Sequence, residues 1–189
     1  MAIALLWQKY QTMSDSPGQD ALFRLLDDLG IRRHTSRHPP LFTVEDSRRL
    51  RGELPGAHIK NLFLVARRGK RERSYWLYTC LEERRVDLRG LARALDAGRF
   101  SFADADVLMR LLGVLPGAVT PLAVFADAGC EVRVVLDAAL VRSEEVNAHP
   151  LVNTATTRLA VGDLVRFLEH CGHSPLWFDP DTNSLSPSP

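Results

Sequence analysis

The stretch "GAHIKNLFLVARRGKRERSYWLYTC", residues 56–80, places two apolar runs on either side of a basic turn. "NLFLVAR" and "YWLYTC" have the length and the aromatic and β-branched content of strands, and "RGKRER" between them fits a hairpin. The first run is preceded by Lys60 and Asn61. A lysine at the mouth of a buried strand is costly to desolvate unless its ammonium reaches water, a partner or a ligand. From the residues alone two readings stand: an edge lysine that snorkels to solvent, or a fixed cation for a phosphate or carbonyl oxygen.

Around this hairpin the pattern alternates between helix and strand without strict order. "QDALFRLLDDLGI" has apolar positions at 22, 25, 26 and 29, a helical spacing closed by Gly30. "RRHTSRHPPLF" is extended, because Pro39 and Pro40 forbid helix. "TVEDSRRLRGEL" carries a Thr43 cap with Glu45 and Asp46 in the first turn, which predicts a short helix. "VDLRGLARALDAG" and "SFADADVLMRLLG" predict two more helices, stopped by Gly98 and Gly113. "AVTPLAVFAD" and "EVRVVLD" predict strands around the turn "AGC". A last helix is expected in "LAVGDLVRFLEHCG" and a last strand in "PLWFD". Together these elements predict an α+β (mixed α/β) single domain, with a mixed, largely antiparallel central sheet flanked by helices. Residues 1–17 read as a disordered leader and 181–189, "DTNSLSPSP", as a disordered tail.

The 189 residues are 46% hydrophobic and 25% charged, with a formal net charge of +1. There is no global basic field, so any nucleic acid must be held by a local patch. Cys80, Cys130 and Cys171 are odd in number and widely spaced, which is no disulfide framework and suggests a reducing compartment. No apolar run approaches the ~20 residues of a membrane span.

Three stretches carry candidate chemistry. Lys60 and Asn61 are the first. In "LGVLPGAVTPL", Gly113, Gly117 and Pro121 punctuate a connection where backbone could approach a ligand, although a plain turn explains them equally. In "HPLVNTATT", residues 149–157, Thr156 or Thr157 is expected to cap the next helix, while His149 and Asn153 have less obvious structural roles. His34 and His38 are four apart, but Pro39 blocks the helix that would align them. "HCGH" at 170–173 has no second cluster nearby. No metal or cofactor is therefore expected. The basic positions 67, 68, 70, 71 and 73 read first as a solvated hairpin tip.

"HPPLFTVEDS", "GAHIKNLFLV", "VDLRGLARALDAGRFSFADADVLMRLLGVLPGAVTP", "VRVVLDAAL" and "VNAHPLVNTATT" together resemble the YbaK-like aminoacyl-tRNA editing domains, relatives of the insertion domain of bacterial prolyl-tRNA synthetase. The resemblance spans residues 18–180 and is nearest to the freestanding branch that deacylates alanyl-tRNA(Pro). It implies a cytoplasmic trans-editing hydrolase acting on the acceptor end of mischarged tRNA(Pro), with water attacking the ester and the tRNA 2′-hydroxyl assisting. The implied catalytic set is Lys60, Gly117 and His149. Asn61, Ala118, Pro121, Asn153 and His38 would bind substrate, and Arg99, with Lys60, would bind tRNA. Lys60 is expected to face the amides around Gly117 across one pocket. "PLAVF" after the glycine loop departs from the family's usual Pro-Phe-Gly or Ala-Phe-Gly, so Cys-tRNA(Pro) or Ser- and Thr-tRNA remain alternative substrates, as does a non-catalytic tRNA-binding module. The resemblance implies no cofactor, admits prolyl-tRNA synthetase as a docking partner, and favours a monomer.

Overall fold

The computed structural model describes residues 17–40, 54–69 and 72–186. Among these residues four helices run over Pro17–Asp28 (α1), Leu88–Ala94 (α2), Ala105–Leu112 (α3) and Val161–His170 (α4). Nine strands run over Arg33–Arg37 (β1), Ala57–Arg68 (β2), Glu72–Leu81 (β3), Arg99–Phe102 (β4), Val132–Asp137 (β5), Glu145–Ala148 (β6), Ala155–Ala160 (β7), Leu176–Asp179 (β8) and Ser184–Ser186 (β9). They form one sheet in the order β1-β7-β6-β2-β3-β5-β8-β9, with β4 added beside β2. The pairs β2–β6, β3–β5 and β5–β8 are parallel and the other five antiparallel. This is the mixed, largely antiparallel α+β sheet that the sequence predicts.

The β2–β3 hairpin is the spine, and its period of two sorts side chains onto two cores. Phe63 and Leu77 face a large cluster with α1, α3 and α4, including Leu22, Leu111 and Phe167. Leu64, Ala66, Trp76, Tyr78 and Cys80 face a smaller one with α2, β4 and Phe178. The helix ends follow their residues. Asp104 accepts from the Val107 amide at 2.9 Å, and Gly113 closes α3 in the left-handed region at φ +64°.

Several expectations change. Ser101 and Phe102 belong to β4, not to the start of α3, because β4 pairs with Leu64–Arg67 before Asp104 caps the helix. "PLAVFA", read as a strand, is a 3-10 helix over Pro121–Ala126, started by Pro121 and by the Thr120 hydroxyl accepting from the Leu122 amide. Thr156 and Thr157 cap nothing; they lie inside β7, and α4 begins after Ala160 without a side-chain cap. The tail read as disordered from 181 contains β9, which pairs with β8, and Asp181 itself bonds Arg84. The helix expected in 43–54 and the leader before Pro17 lie outside the described residues.

On one side of β2 the sheet splits. Parallel β6 pairs only with Ala57 and His58, whereas β4 pairs only from Leu64 onward. Between them β2 meets no strand on that side, and Asn61 sits in this gap.

Candidate active site

Asn61 organises the gap. Its Nδ2 donates to the Val119 carbonyl at 2.9 Å, and its Oδ1 accepts from the Thr79 hydroxyl at 2.8 Å. Thr79 is fully buried, so both amide ends of Asn61 are committed and the 117–121 loop is tied to the strand. Gly117 takes φ +90°, a conformation that penalises any side chain, and Asn153 Nδ2 lies 3.7 Å from where a β-carbon would sit. Asn153 is itself buried. The Ala118 amide is used by the Leu115 carbonyl at 3.0 Å, so Ala118 supplies packing, not a free donor. Pro121 is buried at the start of its 3-10 helix.

The 149–154 turn closes the other side. Leu151 is held at φ +68°, a strained position for a branched-chain residue, and buried Gln19 of α1 donates to the Pro150 carbonyl at 3.0 Å. His149 Nδ1 lies 3.1 Å from the Ala155 carbonyl. A carbonyl only accepts, so Nδ1 carries the proton and the neutral ring presents a lone pair at Nε2. His38, 6.4 Å away centre to centre, donates from Nδ1 to the Pro39 carbonyl and meets the Thr156 hydroxyl at 2.8 Å through Nε2.

Burial pushes the His149 pKa below its usual 6.5; the Ala155 carbonyl opposes this and the neighbouring His38 adds to it. The sign for stability follows. Below pH 6.5 the unfolded chain binds a proton that the folded ring resists, so His149 makes the fold less stable as pH falls through that window. Wild-type protein is expected to lose more denaturant resistance between pH 7 and pH 5 than His149→Gln does. Parallel curves for the two proteins would refute this assignment.

Of these groups Asn61, His149 and Thr156 line a small cleft of about 30 Å³, together with His58, Ile59, Glu82, Asn147 and Ala148. A second, wider cleft of about 540 Å³ lies across the strand end, lined by His58, Leu81, Glu82, Glu83, Arg84 and Arg85. His58 and Glu82 form the rim common to both, and the Glu82 amide donates to the His58 carbonyl at 2.8 Å.

Lys60 is not where the sequence reading put it. It pairs in register with Cys80, on the face of β2 opposite Asn61, and its ammonium donates to the Arg84 carbonyl beside the wider cleft. The structure thus separates Lys60 from the loop that Asn61 holds, because adjacent strand residues point to opposite faces. Arg84 is itself fixed: it bonds fully buried Asp137 at 3.0 Å and Asp181 at 2.9 Å. Arg99, on β4 opposite Arg67, is exposed and far from both clefts. The structure therefore gathers Asn61, Gly117, Ala118, Pro121, His149, Asn153 and His38 on one side, sets Lys60 on the other, and leaves Arg99 outside. His58, Glu82, Asn147 and Arg84 escaped the sequence reading, since no local motif marks them.

Cysteine chemistry has no support at the cleft. Burial pushes the Cys80 thiol up to about 12 and the Cys171 thiol up to about 11, against the thiolate a nucleophile needs. Among the described residues no helix is long and apolar enough to cross a membrane.

The comparisons agree with this architecture. The aminoacyl-tRNA editing domain profile matches residues 38–167. The chain is 40% identical over 167 residues to the prolyl-tRNA synthetase associated domain-containing protein 1 of Bos taurus, covering 86% of this chain and 95% of that protein. It is 32% identical over 160 residues to the prolyl-tRNA editing protein ProX of Acetoanaerobium sticklandii, covering 85% and 96%. A solved structure of a candidate trans-editing enzyme for prolyl tRNA synthetase superposes with a TM-score of 0.65 at 21% identity, over 93% of this chain and all of that one; it bears on the fold alone. The profile and these relatives establish the family: this chain belongs to the aminoacyl-tRNA editing domain family, whose chemistry is hydrolysis of the ester between an amino acid and tRNA.

Proposed function

We propose that the chain, as a cytoplasmic monomer formed by residues 18–180, frees small amino acids from mischarged tRNA(Pro), alanine first. The observation that carries the reading is the narrow cleft beside Asn61. Its volume suits a methyl group, while a pyrrolidine ring would have to force the surrounding side chains apart, the kind of overpacking that costs about 1–3 kcal/mol. The names of its relatives, which refer to prolyl-tRNA synthetase and prolyl-tRNA editing, favour tRNA(Pro) as the carrier.

In this reading the ester straddles the end of β2. The aminoacyl group enters the narrow cleft, its ammonium near Glu82 and its carbonyl toward the Gly117 amide, which stabilises the developing oxyanion. His149 Nε2 accepts a hydrogen bond from the attacking water or from the 2′-hydroxyl that assists it. The terminal adenosine lies in the wider cleft, where the Lys60 ammonium exchanges the Arg84 carbonyl for a phosphate oxygen. Asn61, Ala118, Pro121, Asn153 and His38 hold the walls. Positioning and oxyanion stabilisation suffice for an activated ester. Prolyl-tRNA synthetase would supply the mischarged tRNA and could dock the chain.

The test is a panel of radiolabelled Ala-, Cys-, Ser-, Thr- and Pro-tRNA(Pro) incubated with the protein. Alanine should be released fastest and proline retained. Faster release of cysteine, serine or threonine would replace the substrate, and retention of every amino acid would make the chain a binding module.

A further inference from the structure

Two cysteines are brought together where the turn before β5 faces the end of α4, outside the lining of both clefts. Buried Asp127 sets the turn. Its carboxylate accepts the Glu131 amide at 3.1 Å and the Val132 amide at 2.7 Å, and its carbonyl accepts the Cys130 amide at 3.0 Å. Cys130 is thereby held at φ +49°, in the left-handed region that a residue with a side chain seldom occupies. The end of α4 is equally fixed. The Cys171 amide donates to the Phe167 carbonyl at 3.0 Å and the Gly172 amide to the Glu169 carbonyl at 2.9 Å. Buried His173 donates from Nδ1 to the Val132 carbonyl at 3.0 Å, which bonds the two segments to each other. The Cys130 side chain lands on the last turn of α4. Its Sγ lies 3.9 Å from the Cys171 carbonyl oxygen and 3.6 Å from that of Gly172. A β-carbon on Gly172 would come within 2.9 Å of that sulfur, so glycine, already favoured by φ +85°, also makes room for it. The Cys171 side chain branches from the α-carbon next to the carbonyl that Cys130 faces. Burial, and next the Cys130 sulfur, push the Cys171 thiol up to about 11, and the second influence requires the two sulfurs to be near one another.

We infer that Cys130 and Cys171 form a modification site, a thiol pair that a hydroperoxide converts reversibly to a disulfide. Cys130 is exposed and reacts first, whereas Cys171 is half-buried and resolves. The Cys130 thiolate attacks the terminal peroxide oxygen, the O–O bond breaks, and the other oxygen leaves as hydroxide or alkoxide and takes up a proton. Cys130 is then a sulfenic acid. Cys171 gives up its proton and attacks the Cys130 sulfur. The S–S bond forms, the S–O bond breaks, and the hydroxyl leaves with that proton as water. The two sulfurs have lost two electrons and the peroxide has gained them. An external dithiol reverses the change by exchange. Fully buried Cys80, its thiol pushed up to about 12, takes no part. A reducing compartment admits a bridge of this kind, because disulfides there are transient and redox-sensing. None of this rests on the proposed deacylation.

The experiment uses the full chain, reduced, desalted and exposed to hydrogen peroxide. Free thiols are counted after denaturation, and cross-links are mapped by peptide mass spectrometry without reductant. Of its three thiols, wild type should lose two, with the Cys130 and Cys171 peptides joined and dithiothreitol restoring both. Cys171→Ser should lose one thiol and react with dimedone, which traps sulfenic acid. Cys130→Ser should keep both of its thiols. The bridge joins positions 41 residues apart, so oxidised wild type should melt about 5–15 °C above its reduced form. Neither serine variant should shift on oxidation. Survival of all three thiols in wild type, a bridge to Cys80, or a bridge between two copies in place of the internal one would overturn the inference. So would loss of thiols from Cys130→Ser at the wild-type rate, which would take the first step away from Cys130. An internal bridge that lowers the melting temperature would also overturn it, since the fold would then not hold the pair ready.

Discussion

Lys60→Ala is expected to lower kcat/KM for Ala-tRNA(Pro) about 10- to 150-fold while leaving the fold intact. The separation of the two effects follows from the geometry. In the free protein the ammonium makes one hydrogen bond, to a main-chain carbonyl at the lip of an open cleft. Once the side chain is shortened, water can satisfy the Arg84 carbonyl, so the stability cost is that of one charge-assisted bond, at most about 1.5–3 kcal/mol. For a domain of this size that lowers Tm by at most about 4–9 °C. Arg84 remains pinned by Asp137 and Asp181, so the cleft wall does not move. With substrate bound, in the proposed pose, the same ammonium holds a phosphate oxygen of the terminal adenosine, and loss of that charge-assisted bond costs about 1.5–3 kcal/mol of binding to substrate and transition state alike. Lys60→Arg should recover only part of the rate, since a planar fork cannot replace a compact ammonium on a short reach. A folded Lys60→Ala protein with a near-normal rate would remove Lys60 from the mechanism.

Asn61→Ala should damage both activity and stability, and that contrast distinguishes it from Lys60→Ala. Two bonds are lost at once, and both partners are left unsatisfied: the hydroxyl of fully buried Thr79 and the carbonyl of half-buried Val119. Each unsatisfied group costs about 1–3 kcal/mol, so the expected loss is about 2–6 kcal/mol and a Tm drop of about 5–18 °C. The 117–121 loop loses its tie to β2, so the Gly117 amide drifts from the ester carbonyl, and kcat should fall about 100-fold, as when one oxyanion donor is removed. Asn61→Asp is the informative companion. It keeps an acceptor for Thr79 but confronts the Val119 carbonyl with a second oxygen, so it should recover no activity. Thermal unfolding and single-turnover deacylation on the same preparations check this. A stable, active Asn61→Asp would show that the Val119 contact does not position the loop.

The hairpin and α1, α3 and α4 were legible because their apolar period and stops are local. Gly30 and Gly113 end helices as their left-handed φ values require, and "EVRVVLD" reads as the strand it is. The failures share a cause, which is that tertiary pairing overrode local signals. "PLAVFA" has the apolarity of a strand, but Thr120 and Pro121 start a 3-10 turn. β6 and β7 are short and rich in Asn and Thr, and they exist through their pairing with each other and with β1. At the site, the motif residues Asn61, Gly117, His149 and Asn153 were visible, whereas His58, Glu82 and Arg84 become neighbours only when β2, β3 and the turn after β3 come together. Lys60 carries a simpler lesson. Once 57–68 is a strand, consecutive residues must face opposite sides, so Lys60 and Asn61 cannot both point at the glycine loop. The alternation is a property of the strand and is present in the sequence.

The most direct measurement is the rate at which the unaltered chain releases alanine from Ala-tRNA(Pro), set against Pro-tRNA(Pro) under identical conditions. The account requires alanine release far above the spontaneous rate and roughly 10- to 200-fold above release of proline. Equal rates for the two esters, or no acceleration of either, would contradict it.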